Sequence, residues 1–305
     1  MRYAIAIPQF YADGTFDPAA FRSYLRRAEA LGFHSAWTQE QVYGDHAQLS
    51  PTEAMTFAAA CTDTLHIGCT VYVSTVHSAP HLAKSLASLD QLSRGRLEVG
   101  VGTGGKNRPY GAFGIDGERY LARFTEGVEL MKALWTEQSV KFDGEFWQVD
   151  NLGMEPKPFT KPHPPLWFGG SGRIAIRRAI RLGTGFFGAG SSPTVKFVEQ
   201  VQMLREALAE AGRDESDFPV AKRVYLAVDE NSARARERMN AELTNVYGSL
   251  PDAIAAAAIA GTVDECVRQV REVIDAGAEL VLFTALYDQP EHMERIAAEI
   301  IPQLS

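Results

Sequence analysis

Short apolar runs alternate along this chain with segments whose apolar positions fall three and four residues apart. Runs of the first kind read as buried strands, and spacing of the second kind as helices with one face on a core. Tyr3 to Ile7 opens as a strand. Asp17-Pro18 then supplies a cap and a first-turn proline, and Phe21, Leu25 and Ala28 recur at helical spacing until Gly32. Phe33 to Thr38 is the second strand, Ser50-Pro51 caps a helix to about Thr62, and Leu65 to Val73 is the third strand. Leu82 to Leu92 reads as a helix leading to a fourth strand in which Leu97, Val99 and Val101 alternate. Leu121, Phe124, Val128, Met131 and Trp135 mark one apolar face of a further helix.

Val140 to Val149 breaks the alternation. Phe142-Asp143-Gly144-Glu145-Phe146 reads as a hairpin around an Asp-Gly turn. Pro156 to Pro165 reads as a loop within one domain rather than a linker, because strand and helix resume at once. Leu166 to Phe168, Gly185 to Gly188, Val220 to Val228 and Glu279 to Ala285 are strands five to eight. Ile174 to Leu182, Val195 to Ala211, Ser232 to Asn245 and Pro290 to Ile301 are helices. Thr262-Val-Asp-Glu265 is a capping box opening one more. Eight strands each followed by a helix predict a (β/α)8 TIM barrel over residues 1–305, one domain, with a short external hairpin and loop insertions. A doubly wound open sheet is the alternative. The barrel reading gathers Gln9, Thr38 to Gln41, Thr70 to Thr75, Gly102 to Arg108, Gly169 to Gly172 and Gly188 to Ser192 on the strand C-terminal rim, where barrel enzymes carry their chemistry.

Composition narrows the class. The chain has 305 residues, 46% hydrophobic and 22% charged, as in an ordinary globular protein. A net charge of −8 disfavours nucleic acid and anionic membrane surfaces as partners. Three scattered cysteines, Cys61, Cys69 and Cys266, suit a reducing cytoplasm without a disulfide framework. The opening residues show no basic leader, so no secretory signal is expected. The apolar run Ala253 to Gly261 is too short to span a bilayer.

The chemistry concentrates in glycine-rich strand ends. Gly100-x-Gly102-x-x-Gly105 has the letters of a dinucleotide fingerprint, but Lys106-Asn-Arg-Pro109 follows where a helix must open. The better reading is a strand end that lets a flat ligand approach the backbone. Gly169-Gly-Ser-Gly172 precedes a helix, and exposed amides there favour a phosphate, with a plain helix cap as the bland alternative. Glu40 is the one carboxylate in the rim stretch after strand two; a single Glu is more often a structural partner than a catalyst. Lys106 and Arg108 either attract an anion or are solvated surface charge. His77 and His81 straddle a helix start with no third ligand near, so no metal is expected.

These residues together carry a resemblance. Trp37-Thr-Gln-Glu40, Leu89-Asp-Gln-Leu-Ser-Arg-Gly-Arg96 into Val99-Gly-Val-Gly-Thr-Gly104, Phe113-Gly-Ile, Gly144-Glu-Phe-Trp147, Leu166-Trp-Phe-Gly-Gly170 and Asp275-Ala-Gly-Ala278 resemble the bacterial luciferase-like superfamily of flavin- and deazaflavin-dependent oxidoreductases. The resemblance implies a TIM barrel, often dimeric, that binds FMN or cofactor F420 at the rim. It implies cofactor contacts at Thr70, Val71, Thr103, Gly104, Arg108, Gly169, Gly170, Ser171, Gly172 and Gly190. It also implies a β-bulge at Thr70-Val71, often with a non-proline cis peptide, behind the cofactor ring. Catalytic duty falls to Glu40 and Gln41. Gln41 stands where such proteins commonly have His, and Gln cannot relay a proton as His does; His46 is a substitute. F420 enzymes of the glucose-6-phosphate dehydrogenase type carry an acid just past the fourth-strand glycines, where this chain has Gly105-Lys106. The resulting expectation is a monooxygenase using reduced FMN and oxygen on a small organic substrate, its flavin supplied by a separate reductase. F420-dependent hydride transfer is the alternative, and a non-catalytic barrel like the luciferase β subunit the third reading.

Overall fold

A computed structural model describes residues 1–11, 15–44 and 47–304; His46 lies outside them. The fold is the expected (β/α)8 barrel with an added antiparallel hairpin. In chain order the elements are β1 (Arg2–Ala6), α1 (Pro18–Ala30), β2 (Ser35–Thr38), α2 (Pro51–Cys61), β3 (His66–Val73), α3 (Ala79–Ser93), β4 (Leu97–Gly102) and α4 (Tyr120–Thr136). The hairpin β5 (Val140–Asp143) and β6 (Gln148–Leu152) follows, then β7 (Leu166–Phe168), α5 (Arg173–Leu182), β8 (Gly185–Gly188), α6 (Thr194–Glu210) and β9 (Val220–Val228). The chain finishes with α7 (Ser232–Tyr247), α8 (Asp252–Ala255), β10 (Ile259–Gly261), α9 (Val263–Asp275), β11 (Leu280–Thr284) and α10 (Gln289–Arg295).

Contacts divide the chain into two compact units. The first comprises Met1–Pro8, Phe16–Trp37 and Gly169–Ser305. Its parallel strands pair β2 with β1, β1 with β11, β11 with β9, and β9 with both β8 and β10. Strands covered on both faces must be apolar throughout, and β11 is buried at all five positions. The Asp17 carboxylate accepts the amides of Ala19 and Ala20 at 2.8 and 3.1 Å, and Thr262 with Glu265 closes the capping box of α9, both as their sequences specify. One element is new. The run Ala253 to Gly261 contains β10, which pairs Gly261 with Val228; three residues, two of them small, show no strand period. Thus α7, α8 and β10 form an excursion between β9 and the next barrel helix, α9.

The second unit comprises Gln9–Thr15 and Thr38–Phe168, and the Pro156 to Pro165 run lies within it. Here β4 pairs with β3 and β7. The Leu89 to Arg96 motif is scaffolding. Asp90 is fully buried and accepts the Thr160 amide at 2.8 Å, which fastens the proline-rich loop, and burial raises its carboxyl above the ordinary range. The Arg96 guanidinium donates to the carbonyls of Ala59 and Leu65 at 3.0 and 2.8 Å and to Thr62 Oγ1 at 3.0 Å, tying the end of α2 to the start of β3. Ser50 does not cap α2 as expected; its hydroxyl donates to Glu53 instead. Nor is the hairpin turned at Asp-Gly. Asp143 pairs with Gln148, so residues 144–147 form the loop, because Glu126 of α4 accepts the amides of Glu145, Phe146 and Trp147 at 2.8–3.0 Å. Arg123 stacks 4.5 Å over Trp147 and donates to the Thr75 carbonyl at 3.1 Å, joining the hairpin to the end of β3.

Candidate functional site

In the second unit, β3 carries the feature that the resemblance implies. Its register on β4 runs Ile67 to Leu97 and Cys69 to Val99, then slips so that Tyr72 faces Val101, and the Thr70–Val71 peptide inside the bulge is cis. This bulge accounts for the glycines of β4. A Cβ on Gly100 would lie 2.2 Å from the Cys69 carbonyl oxygen, on Gly102 2.6 Å from Val71 Cγ2, and on Gly104 2.5 Å from Val73 Cγ1. These glycines admit the neighbouring strand, a reason for glycine that the sequence reading did not weigh. Of these four glycines, Gly105 (φ 80°) alone would have a Cβ that meets nothing within 4 Å.

Glu40 is no idle side chain. Its Oε2 accepts the Val73 amide at 2.6 Å, just past the bulge, and its Oε1 lies 2.7 Å from His77 Nε2. The carboxylate is 5% exposed and the imidazole 30%, so the pair has one dry member and one that solvent or substrate can reach. The Tyr72 ring meets the imidazole edge-on, with centroids 5.9 Å apart. Gln41, expected beside Glu40 in catalysis, is exposed and outside this pair. His77 was weighed in the sequence only as a metal ligand. The signal missed is spatial: Glu40 and His77, both in the second unit, are far apart in sequence and meet only in the fold. Nearby, Gln9 locks the backbone after β2 by accepting the Gln39 amide at 2.7 Å and donating to the carbonyls of Gln39 and Leu49.

The loop after β4 is tied to itself. The Tyr110 hydroxyl lies 2.8 Å from the carbonyls of both Thr103 and Gly105, which share its one proton, and Thr75 Oγ1 donates to the Thr103 carbonyl at 3.1 Å. Arg108, expected at the cofactor, donates through Nε to the Gly104 carbonyl at 3.0 Å. Lys106 is exposed.

In the first unit, the turn from Gly169 to Gly172 fits a phosphate. Gly172 (φ 83°) is the N-cap of α5, no side chain caps the first amides, and the first turn holds no acid. Ser171 is therefore not a helix cap; it is exposed on the turn. Gly170 has no room for a side chain, since its Cβ would approach Ala175 Cβ to 2.7 Å. Beside it Gln200, 8% exposed, donates to the Gly170 carbonyl at 3.3 Å, while its buried Oε1 has no partner among the described residues. An unspent acceptor next to free amides suits a ligand carrying both hydroxyl and phosphate groups.

The turn after β8 is held from below. Lys222, 2% exposed in the middle of β9, donates to the carbonyls of Ala189 and of Ser192, the latter at 2.7 Å. Burial, with the Arg223 charge second, lowers its ammonium to about 7. Gly190 is buried where a Cβ would come within 3.2 Å of both Arg223 and Tyr225. The consecutive cations Lys222-Arg223 inside an apolar strand were the sequence signal for this region, and the strand pattern hid it.

No helix among the described residues is long and apolar enough to cross a membrane. The chain is 27% identical to F420-dependent glucose-6-phosphate dehydrogenase of Beutenbergia cavernae, over 95% of its own length and 94% of that protein's. It is 29% identical to FMNH2-dependent dimethylsulfone monooxygenase of Pseudomonas putida, over 56% of its length and 48% of that protein's. Its fold superposes on monooxygenase RslO1 from Streptomyces bottropensis over 100% of both chains, with a TM-score of 0.85 at 23% identity. Residues 1–251 match the model of the luciferase-like monooxygenase family, and the chain belongs to that family of oxidoreductases.

Proposed function

We propose that this protein is a hydride-transfer oxidoreductase of the family that uses F420 and oxidises a small alcohol. The observation that carries this reading is the Glu40–His77 pair at the ends of β2 and β3. The absence of a protonatable partner for Glu40 favoured reduced-flavin oxygenation in the sequence, because that chemistry needs no protein acid or base. His77 removes that ground. Full-length kinship to an F420 dehydrogenase, against about half-length kinship to an FMNH2 enzyme, points the same way.

When bound, the deazaflavin supplies the hydride acceptor. The protein's part is to hold the alcohol and take its proton. With Nε2–H donated to the Glu40 carboxylate, Nδ1 of His77 is the basic nitrogen, and the carboxylate offsets the charge as the imidazolium forms. Val73 fixes the carboxylate through its amide. In the second unit, the β3 bulge at Thr70-Val71 would back a bound ring. In the first unit, taken by itself, Gly169 to Gly172 with Gly190 would receive a phosphate. Reduced FMN is the second reading, favoured by the Gly169 to Gly172 turn, whose free amides receive any phosphate-bearing flavin.

The test is anaerobic bleaching of F420 absorbance with a panel of secondary alcohols and sugar phosphates, beside oxygen-dependent oxidation of FMNH2. His77→Asn should lower kcat for F420 reduction about a hundredfold or more, a usual span for loss of a general base, with F420 affinity unchanged. Tight FMNH2 binding with oxygen uptake and no F420 binding would overturn the reading.

A further inference from the structure

The second unit holds a small cleft beside the Glu40–His77 pair. Its volume is about 50 Å³, and Val42, Tyr43, Val73, Val76, Pro109 and Phe113 wall it. Three stretches of chain meet there. Val42 and Tyr43 follow β2, Val73 ends β3 with Val76 on the short turn Ser74–Val76 beyond it, and Pro109 and Phe113 belong to the loop after β4. The remaining wall is Arg108. A Cβ on Gly104 would lie 2.5 Å from Val73 Cγ1 and 3.2 Å from Arg108 Cγ, so the arginine stem and the valine lie side by side over that glycine. Arg108 Nε donates to the Gly104 carbonyl, which holds the stem in place as an apolar surface.

Two features set this cleft apart from ordinary surface. Val42 is 51% and Tyr43 56% exposed, and the Tyr43 ring centre lies 5.3 Å from that of Phe113. Apolar side chains gathered around a hollow and left uncovered mark a ligand site rather than a core. The cleft is also continuous with the acid–base pair. Val73 lines it while its amide holds Glu40, and Val76 directly precedes His77. Its size then limits what it takes. A water needs about 10–15 Å³ of such space and fills about 30 Å³ of the liquid, so the cleft admits roughly two to four non-hydrogen atoms. That is one short alkyl group, not a whole substrate. A sugar carries a hydroxyl on nearly every carbon, and burying those against valine, proline and phenylalanine leaves them unpaired.

We propose that this cleft seats one short alkyl substituent of the alcohol, so that the enzyme acts on a small aliphatic alcohol and passes over sugar phosphates. The inference deepens the alcohol-oxidising reading above and rests on it. Binding to the protein without cofactor tests the cleft without turnover, so the two can fail separately. Xenon and the 2-alkanols from 2-propanol to 2-octanol are the probes, followed through the methyl NMR signals of Val42, Val73 and Val76. Xenon should shift all three valines. Alcohol affinity should climb about fourfold per methylene to a limit between 2-butanol and 2-hexanol, then level off. Glucose 6-phosphate should leave the signals unmoved. Val76→Phe, which fills the cleft, should abolish xenon binding and flatten the series. Phe113→Ala, which enlarges it, should carry the climb to longer alcohols. An affinity that climbs without limit, shifts of the same valines by glucose 6-phosphate, or an unchanged series in both folded variants would overturn the assignment. FMN is the control. If FMN displaces xenon and folded Val76→Phe loses FMN as well, the cleft belongs to the cofactor ring and the assignment falls. A levelling alcohol series without F420 reduction by those alcohols would instead overturn the hydride-transfer reading and leave the cleft as an alkyl site.

Discussion

Lys222 gives the protein a pH dependence of stability whose sign and size follow from its surroundings. A neutral amine has two N–H groups, and the two carbonyls above it, Ala189 and Ser192, take two. Those bonds serve either form; burial away from water, with the Arg223 charge beside it, is what makes the folded protein favour the neutral amine, and the ammonium falls from an ordinary 10.5 to about 7. The unfolded chain binds the proton more readily throughout that interval, so stability rises with pH from 7 to 10.5, and below 7 the penalty is present in full. The interval from 7 to 10.5 corresponds to roughly 5 kcal/mol in all, of which about 2 kcal/mol falls between pH 7.5 and pH 9. Lys222→Met removes the titration along with both hydrogen bonds. Urea unfolding of both proteins at several pH values cancels the contribution of every other group. The wild-type advantage over the variant should grow by about 2 kcal/mol from pH 7.5 to pH 9, equivalent to a melting shift of about 3 °C for a chain of 305 residues. Parallel profiles would mean that Lys222 is charged in the folded state and the reasoning is wrong.

Two further outcomes follow from the glycines. Gly100→Ala should destabilise by about 3 kcal/mol or more, because its Cβ meets the Cys69 backbone, and Gly102→Ala by about 1–3 kcal/mol against the Val71 side chain. Gly105→Ala should cost only about 1 kcal/mol for its positive φ, and chemical denaturation that ranked it with Gly100→Ala would contradict the bulge as the cause. At the phosphate turn, Ser171→Asp should weaken FMN at least tenfold while riboflavin changes little. A charge is better introduced there than at Gly170, which has no space for a Cβ. An unchanged FMN to riboflavin ratio by fluorescence titration would place the phosphate elsewhere.

The fold was legible because parallel strands buried on both faces and helices with one apolar face leave different periods in a sequence. Caps at Asp17 and Thr262 read correctly, since each is settled within a few residues. The hairpin turn misread because its loop is shaped by Glu126, nearly twenty residues earlier. Of the candidate site, Glu40 was visible as a rim carboxylate, but its base was not, because 37 positions separate it from His77. Likewise the β4 glycines advertise a close approach without saying to what; the answer is the neighbouring strand. Tyr225 was hidden inside a run that reads as plain strand, and Tyr247 meets it only through the path of α7.

The excursion between β9 and α9 departs and returns at one place. Asp229, the first residue beyond β9, donates its amide to the Gly261 carbonyl at 2.9 Å, so the stem of the excursion is already zipped shut. A segment with so close a pair of ends behaves as a cassette. Because closure entropy grows only slowly with loop length, this one can be lengthened, shortened or exchanged at little cost to the scaffold that carries it. Its own small core of Ala235, Met239, Leu243 and Ala260 against Tyr225 and Ala227 travels partly with it. Tyr247 rides on the cassette while Tyr225 stays with the strand, so the bond between their hydroxyls is a latch between the module and its scaffold. The module can thus be replaced without refolding the strand that carries it.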